Sequence, residues 1–252
     1  MPKHQGALKA IILAASRGIE LGKLTEDRPK CMIDIRGQPL LSRLVETMNS
    51  ANVRDITVVR GYKKEMVNLP SVKSIDNDLF ETNGEAASLA CARDVLNDDC
   101  LIAYGDILFR QYMMDQLLTA DGDIVLVVDA LWRKRDPDPK SRLRDLVKCT
   151  SPFVTNYIDD GPILAQRIGP DLHAGSIDGE WIGLAKLTKP GSIAMCAALE
   201  QIKQDSFLSN ASLCDLFNQL INEGQEIQVM YVTGHWLDVD NQGDLEEANS
   251  FL

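Results

Sequence analysis

Zinc-type cysteine spacing is missing from this 252-residue chain: Cys31, Cys91, Cys100, Cys149, Cys196 and Cys214 are scattered, with no CxxC pair. Several sit in apolar contexts, such as Cys91 in "SLACARDVL", and are expected as reduced core residues of a cytoplasmic protein. No apolar run approaches the roughly 20 residues of a membrane span. The brief apolar stretch in "MPKHQGALKAIILAA" runs at once into charge, so no signal peptide is expected either. Positive charge is scarce: 26 Lys and Arg stand against 37 Asp and Glu, a net charge of −11. A general nucleic-acid binder shows the opposite balance. Any cations that meet an anionic ligand must therefore be gathered locally. Internal repeats and low-complexity segments are absent. So are G-x-G-x-x-G and G-x-x-x-x-G-K-[ST], which argues against a dinucleotide fingerprint and a Walker loop.

What is present is an ordinary soluble composition, 45% apolar and 25% charged, in which strand and helix signals alternate. "LKAIILA" (8–14) reads as a buried strand, "QPLLSRLVETMNSA" (38–51) as a helix and "DITVVRGY" (55–62) as a second strand. A weaker strand over 71–77, a helix over 84–96, a strand over 99–106, a helix over 112–118 and a strand over 123–130 follow. The order implies an α/β fold: a Rossmann-like mixed, mostly parallel sheet with helices on both faces. The charged, proline-containing "WRKRDPDPKSRLRD" (132–145) reads as a loop outside the core, and "LVKCTS" and "GPILAQRIG" as strands of a smaller sheet. A strand over 180–187, helices near 190–204 and 211–223, a strand over 226–234 and a closing helix complete the chain. One domain over 1–252 is expected, with a core of 1–130 and 226–252 and an excursion over 131–225.

The chemistry gathers at predicted sheet edges. After the first strand, "AASRG" supplies Ala14, Ala15, Ser16 and Gly18 for close backbone approach to phosphate oxygens, with Arg17 to bridge them. A tight turn with a surface Arg explains the same residues. In "DRPKCM", Lys30 follows a proline that stiffens its backbone and can reach a phosphate as a point charge. "YGD" ends a strand at Asp106, and "HWLDVDN" puts Asp238 and Asp240 on one face of an extended segment. Magnesium takes one or two carboxylates plus phosphate oxygens, which suits this set, although each Asp is also a candidate helix cap.

The order L-A-A-(small)-R-G, P-K, Y-G-D, W-x-D-x-D resembles the nucleotidyltransferases of the sugar-phosphate and phosphocholine cytidylyltransferase superfamily, over essentially the whole chain. More narrowly, "AASRGIEL", "TNGEAASLACARD", "AYGDILFR", "GEWIGLAKLT" and "VTGHWLDVDNQGDL" are similar to the phosphonate cytidylyltransferase domain often fused to phosphoenolpyruvate phosphomutase. One departure stands out. The wider superfamily has L-A-A-G-x-G-[ST]-R, whereas Ser16 replaces the first Gly here and Ile19-Glu20 fills the final Ser/Thr-Arg positions. Arg17 is then the only Arg inside the loop.

The resemblance implies transfer of CMP from CTP to a small phosphonate, 2-aminoethylphosphonate or 2-hydroxyethylphosphonate, with release of pyrophosphate. Arg17 and Lys30 would be the catalytic cations, and Asp106 and Asp240, with Asp238 as second choice, would hold Mg²⁺. Ala14, Ala15, Ser16, Gly18, Thr82, Asn83 and Ser88 would bind the nucleotide, although a helix capped near Thr82 explains the last three equally well. Glu180, Trp181 and Arg133, or Lys134 in its place, would bind the acceptor within the 131–225 excursion. Trp132, Tyr157 and Trp181 are the Trp and Tyr residues of the acceptor-side excursion, few for a choline cage. Phosphocholine or sugar-1-phosphate transfer and a catalytically silent nucleotide-binding module are the alternatives. No nucleic acid or membrane partner is implied, a fusion to the phosphomutase is, and oligomeric state is left open.

Overall fold

The structure is a computed structural model that describes residues 8–70, 72–135, 144–155, 161–204 and 208–251. Strand β1 (Lys9–Ala14) owes its place to its aliphatic run. Ile11 and Leu13 enter one hydrophobic cluster, while Ala10, Ile12 and Ala14 enter another, so side chains of period two bury both faces. After the short hairpin of β2 (Asp34–Ile35) and β3 (Gln38–Pro39), helix α1 (Leu40–Ser50) covers the second face with Leu41, Leu44, Val45 and Met48. Strands β4 (Asp55–Arg60) and β5 (Lys73–Asp76) extend the sheet, and helix α2 (Glu85–Cys91) packs on the first face. Next come β6 (Cys100–Tyr104), β7 (Ile107–Phe109), α3 (Gln111–Thr119), β8 (Ile124–Asp129) and the one-turn α4 (Trp132–Arg135).

The second half of the chain contributes β9 (Leu146–Cys149), β10 (Ala165–Ile168), β11 (Gly179–Leu187), α5 (Lys189–Gln204), α6 (Leu213–Asn222), β12 (Ile227–Val232), β13 (Trp236–Asp238) and α7 (Gln242–Phe251). Nine strands form one mixed sheet in the order β10-β9-β11-β6-β1-β4-β5, with β8 beside β11 and β12 beside β8. Its centre is parallel, because β1 pairs parallel with both β4 and β6, and β5 continues parallel on β4. Helices α2, α5 and α6 cover one face, and α1 and α3 the other.

The smaller sheet expected from "LVKCTS" and "GPILAQRIG" does not form. Instead, β9 and β10 join the edge of the main sheet through the first residues of β11. The register of β11 breaks between Trp181 and Ala185, so its start pairs with β9 and its end with β6. The 132–145 stretch is not wholly outside the core either. Trp132 is buried against Leu146 and Ile177, and Arg144 is buried too. Residues 136–143 between them, and Tyr157, lie outside the described residues. No helix among the described residues is long and apolar enough to cross a membrane.

Candidate active site

The carboxyl ends of β1 and β6 open onto a cavity of about 700 Å³. Ligands collect at that edge in open α/β sheets, because strand ends there leave loops free to turn toward a bound group. Ala15, Ser16 and Glu20 line the cavity from the opening loop, Lys30 from the turn after Pro29, and Asp106 from just beyond the end of β6. Gly18 adopts the left-handed conformation, φ 73°, and a Cβ there would come within 2.9 Å of Lys30 Cβ. Glycine at this position therefore lets the loop lie against the Lys30 stem.

Lys30 opens a single 3₁₀ turn, Lys30–Met32, after the extended Pro29. Only 6% of it is exposed. Its Nζ donates to Asp106 Oδ2 at 2.6 Å and also to Asp240 Oδ1. Burial opposes the lysine charge, but Asp106 and Asp240 outweigh it and hold the ammonium above the usual lysine range.

Asp240 reaches this point because β13 pairs antiparallel with β7, and Val239 N–H donates to Asp106 O at 3.1 Å. The two carboxylates are thus set side by side by backbone pairing between segments far apart in sequence. The capping alternative is resolved in the same region. Asn241 Oδ1 accepts from Gly243 and Asp244 N–H at the start of α7, while the Asp240 carboxylate accepts from Lys30. Burial pushes the Asp240 carboxyl up to about 6. Repulsion from Asp238 and Asp106 adds to the rise, and Lys30 opposes it.

Among the described residues no group of three or more His, Cys, Asp or Glu converges closely enough to hold a metal unaided. The fit to Mg²⁺ is nevertheless good. Asp106 and Asp240 already converge on one cation, and Mg²⁺ completes its octahedron with phosphate oxygens and water. Asp238 lines the same cavity.

Several of the expected residues lie at the cavity or next to it. Asn83 and Ser88 line the cavity, with Ser88 Oγ accepting from Asn77 Nδ2 at 3.0 Å. Ala14 borders a smaller recess beneath Lys30. Others do not reach the cavity. Arg17 lies over the Tyr62 ring, 5.4 Å from its centroid, and its Nε has no hydrogen-bond partner. Glu20, not Arg17, is the charged side chain that the loop presents to the cavity. Thr82 is exposed off the lining, where its hydroxyl donates to Leu79 O at 3.2 Å. It does not cap α2, whose first turn starts from Gly84. Arg133 points away too, stacked on Trp132 and donating to Ala174 O. Lys134 is exposed and is not part of the lining.

The acceptor side differs most from the sequence reading. Glu180 and Trp181 both line the cavity, but Glu180 forms a buried ion pair with Arg144 at 2.6 Å. Arg144 went unnoticed because it ends a run of charge that reads as solvated. Trp181 donates its indole N–H to Leu184 O at 2.9 Å and packs between Tyr104 and Phe217.

Sequence reasoning also missed a second cluster. The Tyr104 hydroxyl lies 3.0 Å from Glu85 Oε2 and 3.0 Å from Asp145 Oδ2. Glu85 Oε2 accepts from Leu213 N–H at 3.2 Å, and the Cys214 thiol donates to Asp145 Oδ1 at 3.1 Å. Burial pushes Asp145 up to about 7, with repulsion from Glu85, an exposed residue at the cavity edge, adding to it.

A glycine-containing loop at a parallel strand end, a buried lysine and paired aspartates meet at this one cavity. The fold and site define a nucleotidyltransferase. The chain belongs to the family of the MobA-like NTP transferase domain, whose model matches residues 10–155. It is 26% identical to the CTP:phosphoglutamine cytidylyltransferase of Campylobacter jejuni, over 95% of this chain and 98% of that one. It is 29% identical to the UTP–glucose-1-phosphate uridylyltransferase AglF of Haloferax volcanii, over 97% and 96% of the two chains. Among solved structures it resembles the CTP:phosphocholine cytidylyltransferase LicC of Streptococcus pneumoniae. That match has a TM-score of 0.71 and 19% identity, over 97% of this chain and 99% of that one.

Proposed function

We propose that this enzyme transfers CMP from CTP to a small phosphonate in phosphonate biosynthesis. An oxygen of the phosphonate attacks the α-phosphorus of CTP, a new P–O bond forms, the α–β bridging P–O bond breaks, and pyrophosphate leaves in line. Such chemistry asks for alignment and charge neutralisation more than covalent help. The observation that carries the reading is Lys30, buried at the cavity wall and bonded to both Asp106 and Asp240. Asp106 and Asp240, with Asp238 beside them, would hold Mg²⁺, which when bound offsets charge at the α-phosphate. Lys30 neutralises the triphosphate, and the amides from Ala14 to Gly18 approach its oxygens. Arg17 joins them by leaving Tyr62. Asn83 and Ser88 offer the donors and acceptors that a cytosine edge needs.

CTP as donor rests on the resemblance of the "TNGEAASLACARD" and "AYGDILFR" segments and on the cytidylyltransferase relatives. A second reading keeps CTP and replaces the phosphonate by a phosphorylated small molecule. It is favoured by the Campylobacter relative, which acts on phosphoglutamine. Pyrophosphate release measured with CTP, UTP and ATP against both phosphonates, phosphoglutamine, phosphocholine and glucose 1-phosphate decides. Preference in kcat/KM for a phosphonate with CTP supports the proposal. Preference for any of the phosphorylated compounds overturns the phosphonate assignment.

A further inference from the structure

We propose that Glu85 and Asp145, joined through Tyr104, select an acceptor that carries an ammonium group at the end remote from its phosphorus. The inference rests on the nucleotidyl-transfer reading above and names the acceptor class of the same cavity.

The cluster is short of positive charge. Tyr104 has one hydroxyl proton and two carboxylates within 3.0 Å, so it can donate to only one of them at a time. Leu213 N–H and the Cys214 thiol add one neutral donor each. Among the described residues, neither Glu85 nor Asp145 forms an ion pair with a lysine, arginine or histidine. Glu180, the carboxylate that the sequence suggested for this task, is different, because Arg144 already neutralises it in the interior.

The carboxylates do not stand alone. They line the cavity that also holds Lys30 and Asp106, and the rings of Tyr104, Trp181 and Phe80 line it with them. An ammonium gains from aromatic faces and from carboxylates together. A neutral hydroxyl gains one hydrogen bond, and a second anionic group is repelled. The raised proton affinity of Asp145 has the same origin, since burial and repulsion from Glu85 penalise its charged form. A bound ammonium relieves that penalty, so binding energy is stored for the cationic acceptor and withheld from its neutral analogue. Tyr104 acts here as a positioning residue, holding the two carboxylates toward one point.

The experiment compares 2-aminoethylphosphonate with 2-hydroxyethylphosphonate, which differ only in the terminal group. With CTP and Mg²⁺ the wild-type enzyme should favour the amine by at least about tenfold in kcat/KM. Glu85→Gln and Asp145→Asn should each cut that ratio severalfold, mainly through KM for the amine. Tyr104→Phe should raise KM for the amine with a smaller change in kcat. Glu180→Gln should lower both acceptors alike, because its partner is Arg144. Equal kcat/KM for the two phosphonates in the wild type overturns the inference with no variant needed, and leaves the phosphonate reading intact. An unchanged ratio in folded Glu85→Gln and Asp145→Asn, checked by thermal melts, overturns it as well. If phosphocholine is used in place of phosphonates and its use collapses in both variants, the inference holds and the phosphonate reading falls.

Discussion

Lys30 donates to Asp106 at 2.6 Å and to Asp240 from the same ammonium, so one buried cation occupies the ground between two carboxylates that a metal would share. Lys30→Met should therefore have two opposite effects. Turnover should fall by about a hundredfold or more, the scale for losing a preorganised charge at a phosphoryl centre. Binding of Mn²⁺ without nucleotide, followed by electron paramagnetic resonance, should tighten, because the competing cation is gone. Unchanged Mn²⁺ binding would show that the carboxylates are not shared in this way.

Asp106→Asn should also lose most turnover while the protein stays folded, since Asp106 retains about a quarter of its side-chain exposure and is not a core packing residue. Asp240→Asn should behave similarly. Full activity of either variant in Mg²⁺ would remove it from the proposed ligand set.

The loop makes a third case. Arg17→Ala should lower turnover at least the tenfold that about 1.4 kcal/mol represents, whereas Glu20→Gln should be milder. Arg17 is stacked on Tyr62, so Tyr62→Ala should cause a much smaller loss than Arg17→Ala does. If Glu20→Gln were the more damaging change, the residue lining the cavity would be the functional one and Arg17 a surface stack.

The Arg144–Glu180 pair should matter for stability. Its side chains are 0% and 4% exposed. Arg144→Met leaves an interior carboxylate without its guanidinium and should cost about 3 kcal/mol. The double variant with Glu180→Met should recover much of that loss, a result read from thermal or denaturant melts. Additive losses would contradict the pairing.

Protons give a further test. The Asp145 carboxyl is raised from its ordinary 3.8 to about 7 by burial and by Glu85 and Glu180, against hydrogen bonds from Cys214 and Tyr104. Arg144 sits beside Glu180 in the same wall. A raised carboxyl binds its proton more tightly folded than unfolded, so its contribution to stability falls as pH rises from about 4 to 7. The slope is at most about 1.4 kcal/mol per pH unit for one group. Asp145→Asn should flatten the melting temperature of the ligand-free protein over that window. A steeper profile in the variant would reverse the assignment.

How much of this was visible in the chain itself depends on range. β1 declared itself by an aliphatic run, and Lys30, Asp106 and Asp240 by short local contexts that end strands or follow a proline. Their meeting at one point depends on the β13–β7 pairing. Arg133 and Thr82, which the resemblance implied as binding residues, lie off the cavity because Arg133 stacks on Trp132 and Thr82 hydrogen-bonds to Leu79 O. Arg144 and Asp145 escaped notice because their burial comes from Glu180 and Tyr104, 36 and 41 residues away. Edge pairing of β9 with β11 creates that environment, and no local pattern announces it.

One strand end has a metric consequence. Tyr104 closes β6, and Asp106 follows two residues later, after Gly105, whose Cβ would collide with Ala14. The residue proposed to gather the acceptor-side carboxylates and the residue proposed to stand beside the reacting phosphorus are thus fixed to one another by a single stretch of backbone. Such a stretch works as a gauge. It admits acceptors by the span between their two charged ends, so that lengthening the carbon chain between phosphorus and nitrogen should penalise reaction even though every functional group is kept.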